Sequence, residues 1–143
     1  MFELEMEKNR INKIEEEYLK TIYQLVQKKG KARVSEIAKK LSIQPASVTE
    51  MIQKLYKKGF VLYERYNPIT LTLDGEVLAK TVVKRHEVLK EFLQRVLGID
   101  KEIAAKDACK MEHVIHPETM TQLMHFLKFI RRTPNCMNWQ NLD

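Results

Sequence analysis

The sequence lacks the features that mark several large protein classes. Its 143 residues contain only two cysteines, Cys109 and Cys136, which lie far apart, so we expect reduced thiols rather than a disulfide framework. No apolar run approaches the roughly eighteen residues that span a bilayer, and the acidic start at Met1 is unlike the basic start of a signal peptide. There is no internal repeat or low-complexity tract. These absences favour a cytoplasmic protein with no membrane partner.

The composition is that of a small folded module. Hydrophobic residues make up 44% and charged residues 31% of the chain, which is enough to bury a core and is unlike an intrinsically disordered sequence. A length of 143 residues suits one domain or two small ones, and it is too short for most multidomain enzymes.

The positive charge is concentrated in one stretch. Between Lys28 and Arg65, ten Lys and Arg residues are opposed by three Glu residues, a local charge of +7, whereas the rest of the chain sums to −1. A polyanion is the natural partner for such a stretch. The charge alone is equally compatible with a solvated, lysine-rich surface.

Hydrophobic periodicity and capping signals predict a mainly α chain. In the first half, helices are predicted at residues 9–29, 35–41 and 44–58. Gly30 and Gly59 end the first and third helices, Ser35 caps the second, and Pro45 lies in the first turn of the third. The apolar stripe expected to bury the first helix is Ile11, Ile14, Tyr18, Ile22 and Leu25.

The second half begins with a hairpin and continues with helices. Aromatic and β-branched residues predict strands at 60–66 and 69–73 around a turn at Asn67. Asp74 is expected to cap a long helix that reaches Leu97, and Asp100 a further helix that reaches about residue 115. Pro117 is expected to open the last helix.

The second and third helices have the pattern of a helix-turn-helix, with the hairpin as a wing. Small and apolar residues occupy the expected crossing at Ile37, Ala38, Leu41, Ile43, Val48, Ile52 and Leu55. The opposite face of the third helix carries short polar side chains suited to base edges, with lysines suited to phosphates. The predicted DNA contacts are Arg33, Gln44, Ala46, Ser47, Thr49, Glu50, Gln53, Lys54 and Arg65. A helix-turn-helix used for protein interaction is the alternative.

A second group of residues has the chemistry of a metal site. Cys109, Glu112 and His113 are spaced i, i+3 and i+4, which brings their side chains to one patch of a helix. Thiolate, carboxylate and imidazole together suit a borderline divalent transition ion better than Ca²⁺ or Mg²⁺. A buried cysteine beside a surface Glu-His pair is the alternative reading. His86 and the carboxylates of residues 15–17 are further candidate ligands.

Four motifs, two from each half of the chain, carry a family resemblance. They lie at residues 32–38 (ARVSEIA), 45–55 (PASVTEMIQKL), 85–89 (RHEVL) and 109–113 (CKMEH). Together they resemble the diphtheria toxin repressor and manganese transport regulator family, in its two-domain form. The resemblance implies a homodimeric repressor of metal-homeostasis genes that binds double-stranded operator DNA when loaded with Mn²⁺ or Fe²⁺. It implies an N-terminal winged helix-turn-helix at residues 1–73 and a helical metal-binding and dimerisation domain at residues 74–143.

The resemblance also implies a ligand set. Carried over by position, the principal metal site takes Glu17, Cys109, Glu112 and His113. Family members have Met or Asp at the first of these positions and Cys or Glu at the second. The acidic Glu17 therefore leans toward Mn²⁺, whereas Cys109 leans toward Fe²⁺ because thiolate is the softer ligand.

His86 matches a ligand of the family's second metal position. The usual partners of that position are replaced here by Lys20, Lys90 and Ala105. Cys136 matches no family ligand, and we interpret it as an ordinary residue of the tail.

Two other function classes are alternatives to this interpretation. One is a winged-helix regulator with a metal-independent trigger, in which Cys109 senses oxidants. The other is a small thiol or metal enzyme built on Cys109 and His113, but the sequence has nothing that resembles an oxyanion loop. We therefore predict a protein that is not an enzyme and takes no small organic substrate.

Overall fold

A computed structural model describes residues 11–133, so Cys136 lies outside the described residues. The chain divides into two compact units, the first ending at Thr81 and the second beginning at Val82. The predicted domain boundary at residue 73 stays a prediction. Among residues 11–133, no helix is long and apolar enough to cross a membrane.

The first unit opens with helix α1, Lys13–Lys29. Its N-cap is Asn12, whose side chain accepts a hydrogen bond from the backbone N–H of Glu15 at 2.9 Å. The helix ends as predicted at Gly30, which has a φ of +80° and so adopts a left-handed conformation that favours glycine. The predicted start at residue 9 is wrong, because Asn12 is extended and the helix begins at Lys13.

Helices α2, Val34–Leu41, and α3, Pro45–Lys57, form the helix-turn-helix. Pro45 opens α3 as predicted, where a missing N–H leaves no helix hydrogen bond unmade. The predicted cap at Ser35 is wrong, because α2 begins one residue earlier and Arg33 is its extended flanking residue. The tight connection is made by Ser42, a non-glycine residue with a φ of +56°.

The wing is a short antiparallel pair, β1 at Val61–Leu62 and β2 at Thr70–Leu71. Val61 faces Leu71 across the pair, and a bridge between Ala32 and Ile69 ties the hairpin to the chain before α2. Both strands are shorter than predicted. The first is cut short because the turn already begins at Glu64, whose backbone oxygen accepts from the N–H of Asn67 at 3.0 Å.

The wing is joined directly to helix α4, Leu73–Glu91. The cap is Thr72, whose Oγ1 accepts from the backbone N–H of Gly75 at 3.1 Å and donates to Gly59 O at 2.7 Å. The predicted cap at Asp74 is therefore wrong, since that residue already lies inside the helix. Gly75 packs against the backbone of Phe60 so closely that an added Cβ would lie 1.9 Å from its carbonyl oxygen.

The core of the first unit unites α1, the helix-turn-helix and the wing. The buried side chains that share it include Tyr18, Ile22, Leu25, Ile37, Ile52, Leu55, Phe60 and Ile69. Two predicted core residues are exposed instead: Ile14 at 60% and Ile43 at 37%. The remaining residues of the helix-turn-helix crossing are buried or pack against the core, as predicted.

The second unit contains the end of α4, a π-helical segment at Phe92–Val96, and helices α5, Lys101–Met111, and α6, Pro117–Arg132. Asp100 caps α5 as predicted, accepting from the backbone N–H of Glu102. The predicted extension of α5 to residue 115 is wrong. The buried core of this unit is formed by Val88, Leu89, Val96, Ala108, Met120 and Leu127. The predicted fold class, mainly α with a winged helix-turn-helix followed by helices, is confirmed.

Candidate metal centre and nucleic-acid interface

Helix α3 has one buried and one exposed face. Val48, Ile52 and Leu55 are fully buried on the inner face. The predicted DNA-contacting residues on the outer face are exposed, namely Gln44, Ala46, Ser47, Glu50, Gln53 and Lys54. This row of short and polar side chains has the size and hydrogen-bonding groups needed to meet base edges.

Thr49 differs from its neighbours on α3. Its side chain is half-buried, and its hydroxyl donates to the backbone oxygen of Pro45 at 3.2 Å. The hydroxyl is thus engaged within its own helix, an arrangement that Thr commonly adopts there. Of the predicted base-reading residues, Thr49 is the least accessible.

Two predicted arginines, one before the helix-turn-helix and one after it in the sequence, are exposed. Arg33 precedes α2, and Arg65 lies at the tip of the wing. The Arg65 guanidinium carbon lies 5.1 Å from the centre of the Tyr66 ring, which is 84% exposed. A guanidinium at this distance is attracted to the face of the ring while its N–H groups stay open, so the wing tip offers positive charge to a phosphate.

The lysines at the end of α3 are not all equivalent. Glu15, which is 1% exposed, lies with Oε2 2.7 Å from Lys58 Nζ and with Oε1 3.8 Å from Lys54 Nζ. The sequence suggested Glu15 as a metal-ligand candidate, but the structure pairs it with lysines. No local pattern reveals this contact, because Glu15 and Lys58 are 43 residues apart.

The second unit brings the predicted metal ligands together at the end of α5. Cys109 lies in the last turn of the helix, and Glu112 is its C-cap. Glu112 is fully buried, and its Oε1 lies 3.2 Å from His113 Nε2. Although α5 ends earlier than predicted, Glu112 keeps right-handed helical angles, and the i, i+3, i+4 spacing still gathers these side chains.

His86, on α4, belongs to the same cluster. Its Nδ1 lies 2.8 Å from Glu112 Oε2 and 3.8 Å from Cys109 Sγ. A carboxylate can only accept, so Nδ1 donates to Glu112 in this arrangement. The sequence resemblance placed His86 at a second metal position, whereas the structure places it against Glu112 and Cys109, two residues predicted for the principal one.

Glu17 lies on α1 in the first unit and is half-buried. Its Oε1 lies 3.6 Å from Nζ of Lys20, one turn further along the helix, which is itself buried. The role of Glu17 as a metal ligand stays a prediction.

The donor types gathered around Glu112 suit a divalent transition ion. His86, Cys109, Glu112 and His113 offer two imidazoles, a thiol and a carboxylate, with the three contacts above measuring 2.8 to 3.8 Å. A buried carboxylate among nitrogen and sulfur donors also matches the ligand preference of Mn²⁺, Fe²⁺ and Zn²⁺ rather than Ca²⁺.

Comparison with known proteins gives matches over both units. Residues 11–69 match the family described as "Iron dependent repressor, N-terminal DNA binding domain", and residues 72–139 match "Iron dependent repressor, metal binding and dimerisation domain". The chain belongs to the iron-dependent repressor family. The resemblance predicted from the sequence is thereby confirmed, and with it the class of function, metal-dependent transcriptional regulation.

Curated relatives in this family carry the name HTH-type transcriptional regulator MntR. The protein from Lysinibacillus sphaericus is 41% identical over 120 residues, which cover 84% of this chain and 86% of the relative. The protein from Bacillus subtilis is 45% identical over 98 residues, 68% of each chain.

Solved structures of the family show the same fold. The structure of the manganese regulator SloR matches 82% of this chain with a TM-score of 0.71 and 30% identity. A manganese-dependent transcriptional repressor in complex with manganese matches 80% with a TM-score of 0.73 and 27% identity. The chain spans about half the length of these structures, 54% and 53% respectively.

Proposed function

We propose that this protein is a transcriptional repressor that binds operator DNA as a homodimer when it is loaded with Mn²⁺ or Fe²⁺. It acts in the cytoplasm on genes of metal homeostasis and takes no small organic substrate. The observation that carries the proposal is the presence in one chain of an exposed polar face on α3 and a four-residue cluster of metal-ligand type around Glu112. The matches to both repressor domains support this combination.

The proposed ligands are Cys109, Glu112 and His113, with His86 beside them and Glu17 added on the resemblance alone. A bound divalent cation supplies positive charge that offsets the carboxylates of Glu17 and Glu112. These five side chains are a mixture of soft and hard donors. Because such a mixture does not select between Mn²⁺ and Fe²⁺, we propose either ion.

The proposed link between metal and DNA runs through α1. With Glu17 held to the ligands of residues 109–113, α1 and the helix-turn-helix packed on it lose freedom relative to the dimerisation helices. In a two-fold dimer this restriction sets the distance between two α3 helices, which must match successive major grooves. By linkage, operator DNA tightens metal binding by the same factor by which metal tightens DNA binding.

The DNA contacts follow from the exposed face of α3 and its surroundings. Gln44, Ala46, Ser47, Glu50 and Gln53 face the bases, with Thr49 as a lesser contributor. Arg33, Lys54 and Arg65 contact phosphates and fix the register of the helix. We propose a DNA-binding domain of residues 1–73 and a metal-binding and dimerisation domain of residues 74–143.

The proposal is tested by an anaerobic pull-down of genomic DNA fragments with the purified protein, in parallel with Mn²⁺, Fe²⁺ and a chelator. Enrichment of a few fragments with metal and not with chelator is the expected result. The more effective ion then identifies the activating metal. Equal enrichment in the presence of chelator would contradict the metal switch.

Ligand variants test the site itself. Glu112→Ala and His113→Ala should abolish the stimulation of DNA binding by metal while the protein stays folded, as circular dichroism would show. The matched control is Glu118→Ala, which removes an exposed carboxylate from the first turn of α6. An unchanged metal response in both ligand variants would refute the assignment.

A further inference from the structure

A buried carboxylate lies against the lysines of the recognition helix α3. Glu15 is in the first turn of α1, and Lys54 and Lys58 lie one turn apart at the end of α3. Both Glu15 oxygens are engaged: Oε2 lies 2.7 Å from Lys58 Nζ, and Oε1 lies 3.8 Å from Lys54 Nζ. The Lys58 side chain is 26% exposed and that of Lys54 is 52% exposed.

The exposures of the three side chains show which of them is committed to the contact. A carboxylate that is 1% exposed has almost no water to solvate its charge, so the loss of its cation partner is strongly unfavourable. Lys58, at hydrogen-bond distance, is therefore held in place. Lys54 is at ion-pair distance only and keeps half of its side chain in solvent, so it remains able to reach a phosphate.

We propose that Glu15 sets the sequence-independent part of the DNA affinity, by occupying Lys58 in the way that a DNA phosphate would. The inference rests on the proposed function, in that α3 must be the helix that meets DNA. Glu15 is a positioning residue under this proposal, since it acts on DNA through Lys58 and does not contact the nucleic acid.

The physical basis is the release of counterions from DNA. Each phosphate that a lysine neutralises steepens the plot of log affinity against log salt concentration by about 0.9. Within the stretch of +7 charge, a lysine held by a buried carboxylate contributes to the net charge but not to the number of phosphate contacts. Removing the charge of Glu15 should therefore free Lys58 to make one more phosphate contact, while the charge of every lysine stays the same.

The test measures binding of the Mn²⁺-loaded protein to a random-sequence DNA duplex by fluorescence anisotropy across a salt series. Glu15→Gln should steepen the salt dependence by about 0.9 and tighten binding at 0.1 M salt by up to about eightfold. Glu15→Gln/Lys58→Gln should return to the wild-type salt dependence, because the released charge is removed again. A structural role of Glu15 alone would not produce this reversal.

Glu76→Gln is the matched control. It removes a carboxylate that holds Lys80 at 3.1 Å on α4, so it also releases a lysine, but one on a helix that is not proposed to meet DNA. Its salt dependence should equal that of the wild type. A steepening as large as that of Glu15→Gln would overturn the proposal, because the effect would then follow net charge and not position.

A second variant keeps the proposal testable if Glu15→Gln does not fold. Glu15→Leu/Lys58→Met, which removes both charges and leaves no buried carboxylate without a cation, should have the salt dependence of the wild type, since Lys58 neutralises no phosphate there. A salt dependence flatter by about 0.9 would show that Lys58 already contacts DNA and would overturn the proposal.

Different results would contradict the proposed function and the role of Glu15. If the metal-loaded wild type has no measurable affinity for DNA, the proposed function is wrong, and this inference with it. If the wild type binds DNA and folded Glu15→Gln has the same salt dependence, only the role of Glu15 is wrong.

Discussion

His86 Nδ1 lies 2.8 Å from Glu112 Oε2, which joins α4 to the residue directly after α5. The other oxygen of the same carboxylate lies 3.2 Å from His113 Nε2. Glu112 is therefore held from two sides by imidazoles, in a fully buried position. Such a carboxylate has little freedom to rotate, so its lone pairs already point in fixed directions before any ion arrives.

Loss of His86 should weaken metal binding. His86→Ala removes a contact to Glu112 and to Cys109, and we expect a metal affinity about 10- to 100-fold lower, the usual cost of losing a group that orients a ligand. Isothermal titration calorimetry with Mn²⁺ measures this affinity. His125→Ala, an exposed histidine on α6, is the control and should bind metal as the wild type does. Equal affinities in the two variants would contradict a role for His86.

Gln44 and Lys54 should affect DNA binding in different ways. Gln44→Ala should mainly reduce the preference for operator over random sequence, by about 1 to 3 kcal/mol if the amide reads a base. Lys54→Ala should weaken binding to both DNAs alike and flatten the salt dependence by about 0.9. Anisotropy titrations with both duplexes at several salt concentrations separate these effects. A sequence-selective loss in Lys54→Ala would reverse the assignment.

The start of α4 should depend on Thr72 and little on Asp74. Thr72→Ala removes a hydroxyl that bonds both Gly75 and Gly59, and we expect about 1 kcal/mol of lost stability, as is typical of an N-cap. Asp74→Ala removes only an exposed acid from the first turn, worth about 0.3 to 1 kcal/mol through the helix dipole. Urea unfolding of both variants measures the difference. A larger loss in Asp74→Ala would restore that residue as the cap.

The pair of Glu91 and Arg131 should make stability depend on acid pH. The Arg131 guanidinium, 2.6 Å from Glu91 Oε2, lowers the pKa of Glu91 below its ordinary value of 4.5. A carboxyl group with a lowered pKa in the folded state stabilises the fold above its unfolded pKa. That contribution is lost as the pH falls through the folded pKa.

Arg131→Met should therefore lower the free energy of unfolding at pH 7 by no more than about 1 kcal/mol, because both side chains are partly exposed. Below the folded pKa of Glu91 the substitution should have no effect on that free energy. Urea unfolding at pH 7 and at successively lower pH values tests this. Arg132→Met, the exposed neighbour, serves as the control. A cost for Arg131→Met that stays constant down to pH 2 would show that the loss is one of packing.

Much of the fold was readable from the sequence because its signals are local. Gly30, Pro45, Asp100 and Pro117 act through the backbone of their own turn, and each marks the helix boundary that it predicted. Ser35 and Asp74 failed for the same reason, since a residue of capping type one or two positions away from the true boundary gives the same local signal.

The candidate sites were predictable to different degrees. Cys109, Glu112 and His113 are close in sequence, so helical spacing was enough to group them. The contact of His86 with Glu112 and that of Glu15 with Lys58 join residues 26 and 43 positions apart. Such contacts depend on how helices pack, and charge patterns along the chain do not reveal which carboxylate a lysine will meet.

The close approach of Gly75 to Phe60 has a consequence for how the wing can vary. A Cβ at position 75 would lie 1.9 Å from the Phe60 carbonyl oxygen, so the root of the wing is fixed by backbone meeting backbone. Its tip, by contrast, carries the freely exposed Tyr66. Substitutions at the tip should therefore change the chemistry offered to a groove without altering the direction in which the wing leaves the protein.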